Sequence, residues 1–163
     1  MVLDPDVRLA IDVFPCEDGH AQERSLLDQV LPTVRRKDLW IADRNFCTLG
    51  FLSGIAQRQG RFLIRHHANM PIELTGRRKL VGQSETGTVY EQTAFMTDPD
   101  TGRRRKLRCI TVKLNVATRD GEQEIRLLTD LSETAADAIK VAGLYRKRWS
   151  VETLFQEMTE NLT

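Results

Sequence analysis

An α/β fold is predicted by three features of this chain. Short apolar runs at strand spacing alternate with amphipathic stretches at helical spacing in the first 69 residues, a middle stretch rich in β-forming residues follows, and the pattern turns helical again after Ser132. These divide the chain into a core segment, 1–69, a β-rich segment, 70–131, and a closing helical segment, 132–163.

Met1 to Leu3 reads as the stub of a strand running into Asp4-Pro5-Asp6, where Pro presets a turn dihedral and Asp can bond back to the backbone. Arg8 to Phe14 returns as the second arm of a hairpin, ended by Pro15 and the Glu17-Asp18-Gly19 turn. From Gln22 to Val34, Leu26, Leu27, Val30 and Leu31 recur at helical spacing and predict an amphipathic helix. Asp38-Leu39-Trp40-Ile41-Ala42-Asp43 is an apolar run ending in an acid, which predicts a buried strand that delivers Asp43 to a sheet's edge. A helix around Leu49 to Gln59 should stop at Gly60, and Arg61 to Arg65 reads as the next strand. Between Met70 and Asp130, Gly, Thr and Pro separate strands expected at Thr88–Met96, Lys106–Asn115 and Glu124–Leu131. The pattern is helical from Ala135 onward, with breaks expected near Gly143 and Ser150.

Composition narrows the function. Among 163 residues, 24 Lys and Arg face 23 Asp and Glu, so the formal charge of +1 gives no global pull toward a polyanion, and any such site must be local. The three cysteines, Cys16, Cys47 and Cys109, lie far apart without a C-x-x-C pair, which argues against a disulfide framework or a structural zinc site and fits a reducing cytoplasm. No apolar run approaches the roughly 20 residues of a membrane span, and the N-terminus lacks a signal-peptide layout.

The sharpest local signal is Tyr145-Arg146-Lys147-Arg148-Trp149-Ser150-Val151-Glu152. On a helix, positions three, four and seven apart share one stripe, which aligns Tyr145, Arg148, Glu152 and Thr159 beside an apolar stripe of Leu144, Val151, Phe155, Met158 and Leu162. Such a helix would leave Glu152 at the rim of a core, aimed at a cleft. By spacing alone the same pattern also describes a solvated face of mixed charge, and a cap at Ser150 would break the registration.

The residue identities decide between these. Tyr-x-x-Arg-Trp-x-hydrophobic-Glu resembles the Y-(2)-R-(3)-E-(6)-K signature of a group of bacterial insertion-sequence DDE transposases, and Ile41-Ala42-Asp43-Arg44-Asn45-Phe46 is similar to the strand ending in Asp-Arg in that family. A β-rich insertion between that Asp and the Glu is also typical of the group. The resemblance spans nearly the whole chain. It implies an RNase H-like mixed sheet flanked by helices, whose carboxylates hold two Mg²⁺ or Mn²⁺ ions that cleave and rejoin DNA at transposon ends. It assigns Asp43 and Glu152 to the metal and catalysis, and Tyr145 and Arg148, with Arg146 and Lys147, to DNA. The partners it implies are transposon-end DNA and, in a full-length form, a second copy of the chain.

Two departures from the family pattern stand out. The signature's final Lys is Thr159 here, and the first Asp of the set belongs to a strand of which only Met1-Val2-Leu3 is expected in this chain. Asp12 is the tempting substitute, but it lies on the following strand in the wrong register. The expectation is therefore a catalytic-domain fragment inactive by itself; the alternative is a truncated or decayed reading frame whose product at most binds DNA or a full-length transposase.

The other charged clusters have plainer readings. Arg103-Arg104-Arg105-Lys106 with Arg108 could reach phosphates from a hairpin tip, although turns are usually charged for solubility; Arg77-Arg78-Lys79 and Arg35-Arg36-Lys37 carry less weight. His66 and His67 should point to opposite faces of a strand, a poor geometry for chelating one metal.

Overall fold

The computed structural model describes residues 2–4, 9–12 and 26–148. The chain begins with an antiparallel hairpin of β1 (Val2–Asp4) and β2 (Leu9–Asp12), in which Asp4 faces Leu9 and Leu3 faces Ala10. A short α1 (Leu27–Val30) tightens into a 3₁₀ turn over Leu31–Thr33, with Pro32 at the position where a missing N–H does least harm. Then come β3 (Leu39–Ala42), a 3₁₀ turn (Arg44–Phe46), α2 (Leu49–Gln57) and β4 (Arg61–Arg65). Four further strands follow: β5 (Glu73–Gln83), β6 (Gly87–Thr97), β7 (Arg104–Leu114) and β8 (Glu124–Thr129). A helix, α3, runs over 138–148.

Six strands form one mixed sheet in the order β3-β4-β8-β7-β6-β5. The β3–β4 pair is parallel, as a strand–helix–strand crossover through α2 requires, and the other pairs are antiparallel. The β-rich stretch is thus joined edge to edge with the strands before it, because β8 returns to pair with β4, with Leu63 opposite Thr129 and Arg65 opposite Leu127.

Helices cover both faces. On one, Phe51, Leu52 and Ile55 of α2 pack with Val30 and Val34 against Phe62 and Ile64 of β4 and the adjoining Met96, Leu107 and Leu128. On the other, Ala138, Val141, Ala142 and Tyr145 of α3 meet Leu63, Val89, Ile110, Val112, Ile125 and Leu127. Alternation along β4 explains the division: Phe62 and Ile64 point to α2, Leu63 points to α3, and all three are buried. Complete burial of such a side chain contributes about 1.5–3 kcal/mol each, so β4 is the spine of both cores.

Several local expectations change in the structure. β3 is half-buried rather than buried, since it stands at one end of the strand order. At the end of α2, Gln59, not Gly60, takes the left-handed backbone (φ 59°), and Gly60 serves packing: a Cβ there would stand 2.8 Å from Val34 Cγ1. Ser132 caps only a turn, through the Ala135 N–H, whereas Asp137 accepts the Lys140 N–H at 2.8 Å and starts α3. α3 continues through Gly143, which is exposed and pays only the modest propensity loss of glycine, about 1 kcal/mol, against four anchored apolar residues. β5 was not expected at all. It is exposed along most of its length and carries Arg77-Arg78-Lys79 where apolar alternation would have announced a strand.

Candidate functional site

The carboxyl end of β3 places Asp43 where the strand gives way to the 3₁₀ turn, and the side chain caps that turn: Oδ1 accepts the Asn45 N–H at 2.8 Å. Its other oxygen, Oδ2, accepts from Arg148 Nη2 at 3.0 Å. Asp43 and Arg148 are 24% and 20% exposed in their side chains, so the pair stands at a rim, screened on one side and open on the other. The two sequence signals meet here. α3 brings its last described turn against the sheet end that carries Asp43.

Tyr145 makes that approach possible. It is 3% exposed and packed with Leu63, Val89 and Val141, which anchors α3 one turn before Arg148. The buried stripe of α3 is therefore Ala138, Val141, Ala142 and Tyr145, whereas Leu144, expected on the apolar stripe, is only half-buried. Tyr145, expected at the DNA, is thus a core residue of this face. Arg146 and Lys147 lie on the exposed side of the helix, where they line a cleft of about 790 Å³ with Ser84, Thr86, Lys140 and Gly143; Arg146 is ion-paired with Glu85. Glu152 and Thr159 lie outside the described residues, and the backbone of Asp12 is placed in β2, opposite Val2.

A second charged group adjoins Asp43 and was missed in the sequence. Arg44 Nη1 donates to Glu122 Oε1 at 3.1 Å, Arg65 Nη2 takes Oε2 of the same carboxylate, and Asp120 stands 3.9 Å from Arg44. Arg65 belongs here because parallel pairing sets Ile64 beside Ala42, which makes the next residues, Arg65 and Asp43, neighbours across the two strands. Glu122 arrives from the loop between β7 and β8, a long-range approach that no local pattern signals.

The remaining candidates take structural parts. Arg108 forks onto Glu91 (2.5 and 3.3 Å) and donates to the carbonyls of Leu131 and Ala136, so it pins the segment leading into α3. Arg104 pairs with Glu73 at 2.9 Å and lies 3.6 Å over the Phe95 ring. His66 Nε2 bonds the Met70 carbonyl, and burial holds its imidazole below the usual range, which favours the neutral ring. Cys47 and Cys109 are buried and not joined by a disulfide, and burial pushes the Cys109 thiol up, away from reactivity.

In kind, Asp43 suits a hard divalent cation, since it presents carboxylate oxygen at a partly open strand end. Among the described residues no group of three His, Cys, Asp or Glu side chains converges to hold an ion. Among the described residues, no helix is long and apolar enough to cross a membrane.

A family model described as "Transposase DDE domain" matches residues 1–162. The chain is also similar to "Putative transposase y4zB" of Sinorhizobium fredii (strain NBRC 101917 / NGR234), 29% identical over 126 residues. That match covers 76% of this chain and 33% of the relative, so this chain spans about a third of that protein's length. With the model match extending over almost every residue, and with its Asp-Arg and Tyr-x-x-Arg signals joined at one end of a mixed sheet, the chain belongs to the transposase DDE domain family.

Proposed function

We propose that this chain is part of the catalytic unit of a DNA transposase, an RNase H-like core that cleaves and rejoins DNA at transposon ends. The observation that carries this reading is the Arg148–Asp43 contact, which joins two motifs 105 positions apart. In the proposal, Asp43 and Glu152 are the metal-holding acids for Mg²⁺ or Mn²⁺, and the middle β-rich segment, 70–131, is the insertion between them. The bound ions would activate an attacking oxygen and neutralise a leaving one.

What the chain's own residues do follows from their chemistry. Asp43 offers hard oxygen and is oriented by the Asn45 N–H. Arg148 offers a planar, permanently charged fork suited to a phosphate oxygen, and at rest it neutralises Asp43. Arg146 and Lys147, on the exposed side of α3, meet the DNA backbone. Tyr145 holds the helix in place. With two acids of the expected three matched in this sequence, the chain by itself binds DNA and does not cut it.

The test combines binding and cleavage. A labelled transposon-end duplex should bind, the R146Q/K147Q variant should bind it more weakly with a shallower salt dependence, and Mn²⁺ should produce no strand cleavage. Robust cleavage abolished by Glu152→Gln would overturn the inactivity. Absence of DNA binding, together with Mn²⁺ binding unaffected by Asp43→Asn and Glu152→Gln, would overturn the reading itself.

A further inference from the structure

We infer that Arg44 and Arg65 form a binding fork for a DNA backbone phosphate beside Asp43, held closed here by Glu122, whose carboxylate stands in the place of the phosphate. The inference rests on the DNA-binding reading above and adds a specific site and a competitor to it.

The geometry comes first. Each oxygen of Glu122 is taken by a different guanidinium, Oε1 by Arg44 and Oε2 by Arg65. Two cations sharing the two oxygens of one anion is also how a phosphodiester, with its two unbridged oxygens, would be held. Solvent can reach the group, for the Arg44 and Glu122 side chains are 43% and 37% exposed.

Placement separates the partners. Arg65 belongs to β4, with β3 pairing on one side and β8 on the other, and Arg44 opens the 3₁₀ turn capped by Asp43. Glu122 instead follows the turn at 118–121, in the connection between β7 and β8, where Thr118 receives its backbone N–H. The cations thus stand on the sheet and its capped turn, and the anion on the connection between two strands. Opening breaks ion pairs in which the Arg44 and Glu122 side chains are already reached by solvent. A phosphate arriving on a duplex, with further contacts at Arg146 and Lys147, can displace such a carboxylate.

Arg44, Arg65 and Arg148 converge on the end of β3 and β4, and their carboxylate partners, Asp43, Glu122 and the exposed Asp120, come from the chain itself. If Glu122 leaves, two guanidinium groups become available without any change in the sheet.

The test measures binding of a fluorescein-labelled duplex to the full chain by anisotropy across a salt series, for wild type, E122Q, R44Q and R146Q/K147Q, with melting curves to confirm that each folds. E122Q should bind DNA about three- to tenfold more tightly with a salt slope steeper by roughly one to two ions, and R44Q should bind more weakly. Unchanged or weaker binding by E122Q, beside a loss in R146Q/K147Q, would overturn the fork and leave the DNA reading standing. No DNA binding by any variant would remove both. A gain by E122Q for inorganic phosphate without one for the duplex would assign the fork to a free anion and overturn the inference as stated.

Discussion

Arg148 Nη2 lies 3.0 Å from Asp43 Oδ2, a contact that fastens the last described turn of α3 to the end of β3. Because both side chains are about four-fifths buried, the bond is charge-assisted and only partly screened. Arg148→Gln and Asp43→Asn should each lower stability by about 1–2 kcal/mol, with a coupling energy of about 1 kcal/mol in a double-mutant cycle followed by urea unfolding. Additive effects would show that the two groups do not interact in solution.

Tyr145 should matter more to folding than to chemistry. Tyr145→Ala empties a site on the α3 face and should cost about 3–5 kcal/mol, whereas Tyr145→Phe preserves the packed ring and should cost about 1 kcal/mol. Chemical denaturation distinguishes them. A mild Tyr145→Ala variant with normal stability would mean that α3 is held by other contacts.

Gly87 opens β6 against the backbone of β7. A Cβ at this position would stand 2.0 Å from the Lys113 carbonyl oxygen, and a main-chain atom within a ladder cannot swing aside as a side chain can. Gly87→Ala should destabilise by about 2–4 kcal/mol, read as a lower urea midpoint, while Gly121→Ala, with open space around its Cβ position, should lose about 1 kcal/mol from its left-handed backbone alone. Equal losses at the two sites would remove the steric explanation.

Asp130 gives stability a pH dependence of definite sign. Its side chain is 7% exposed, and burial raises the carboxyl above its usual value, although the Phe62 N–H and Arg61 work the other way. Folding therefore favours the protonated form, so its contribution is fully present below the unfolded value of about 3.8 and is lost as pH rises through the folded value. Relative to Asp130→Asn, the wild type should lose stability between acid and neutral pH, read as a falling difference in urea midpoint. A difference that stays flat, or grows in favour of the wild type, would contradict the sign.

The sequence made the first half of this molecule legible for physical reasons. Strand β4 and helix α2 coincide with the apolar runs that predict them, since burial on one or two faces leaves a periodic record. Strands β6, β7 and β8 were found to within a few residues by their punctuation. β5 left no such record, being an exposed strand whose hydrogen bonds to β6 stabilise it without a buried face. At the site, Asp43 and Arg148 could be named from their resemblance to the transposase signature. Arg65 and Glu122 could not, because their meeting depends on which strands pair and where a distant loop returns.

The order of strands carries a consequence for how the chain is made. β4 lies between β3, which precedes it, and β8, which is synthesised only after the whole β5–β7 meander. A nascent chain leaving the ribosome must therefore carry an apolar strand with one ladder unfilled until its distant mate emerges. That interval is when self-association competes best with folding, and the amides of β4 should be among the last to gain protection in pulsed hydrogen exchange.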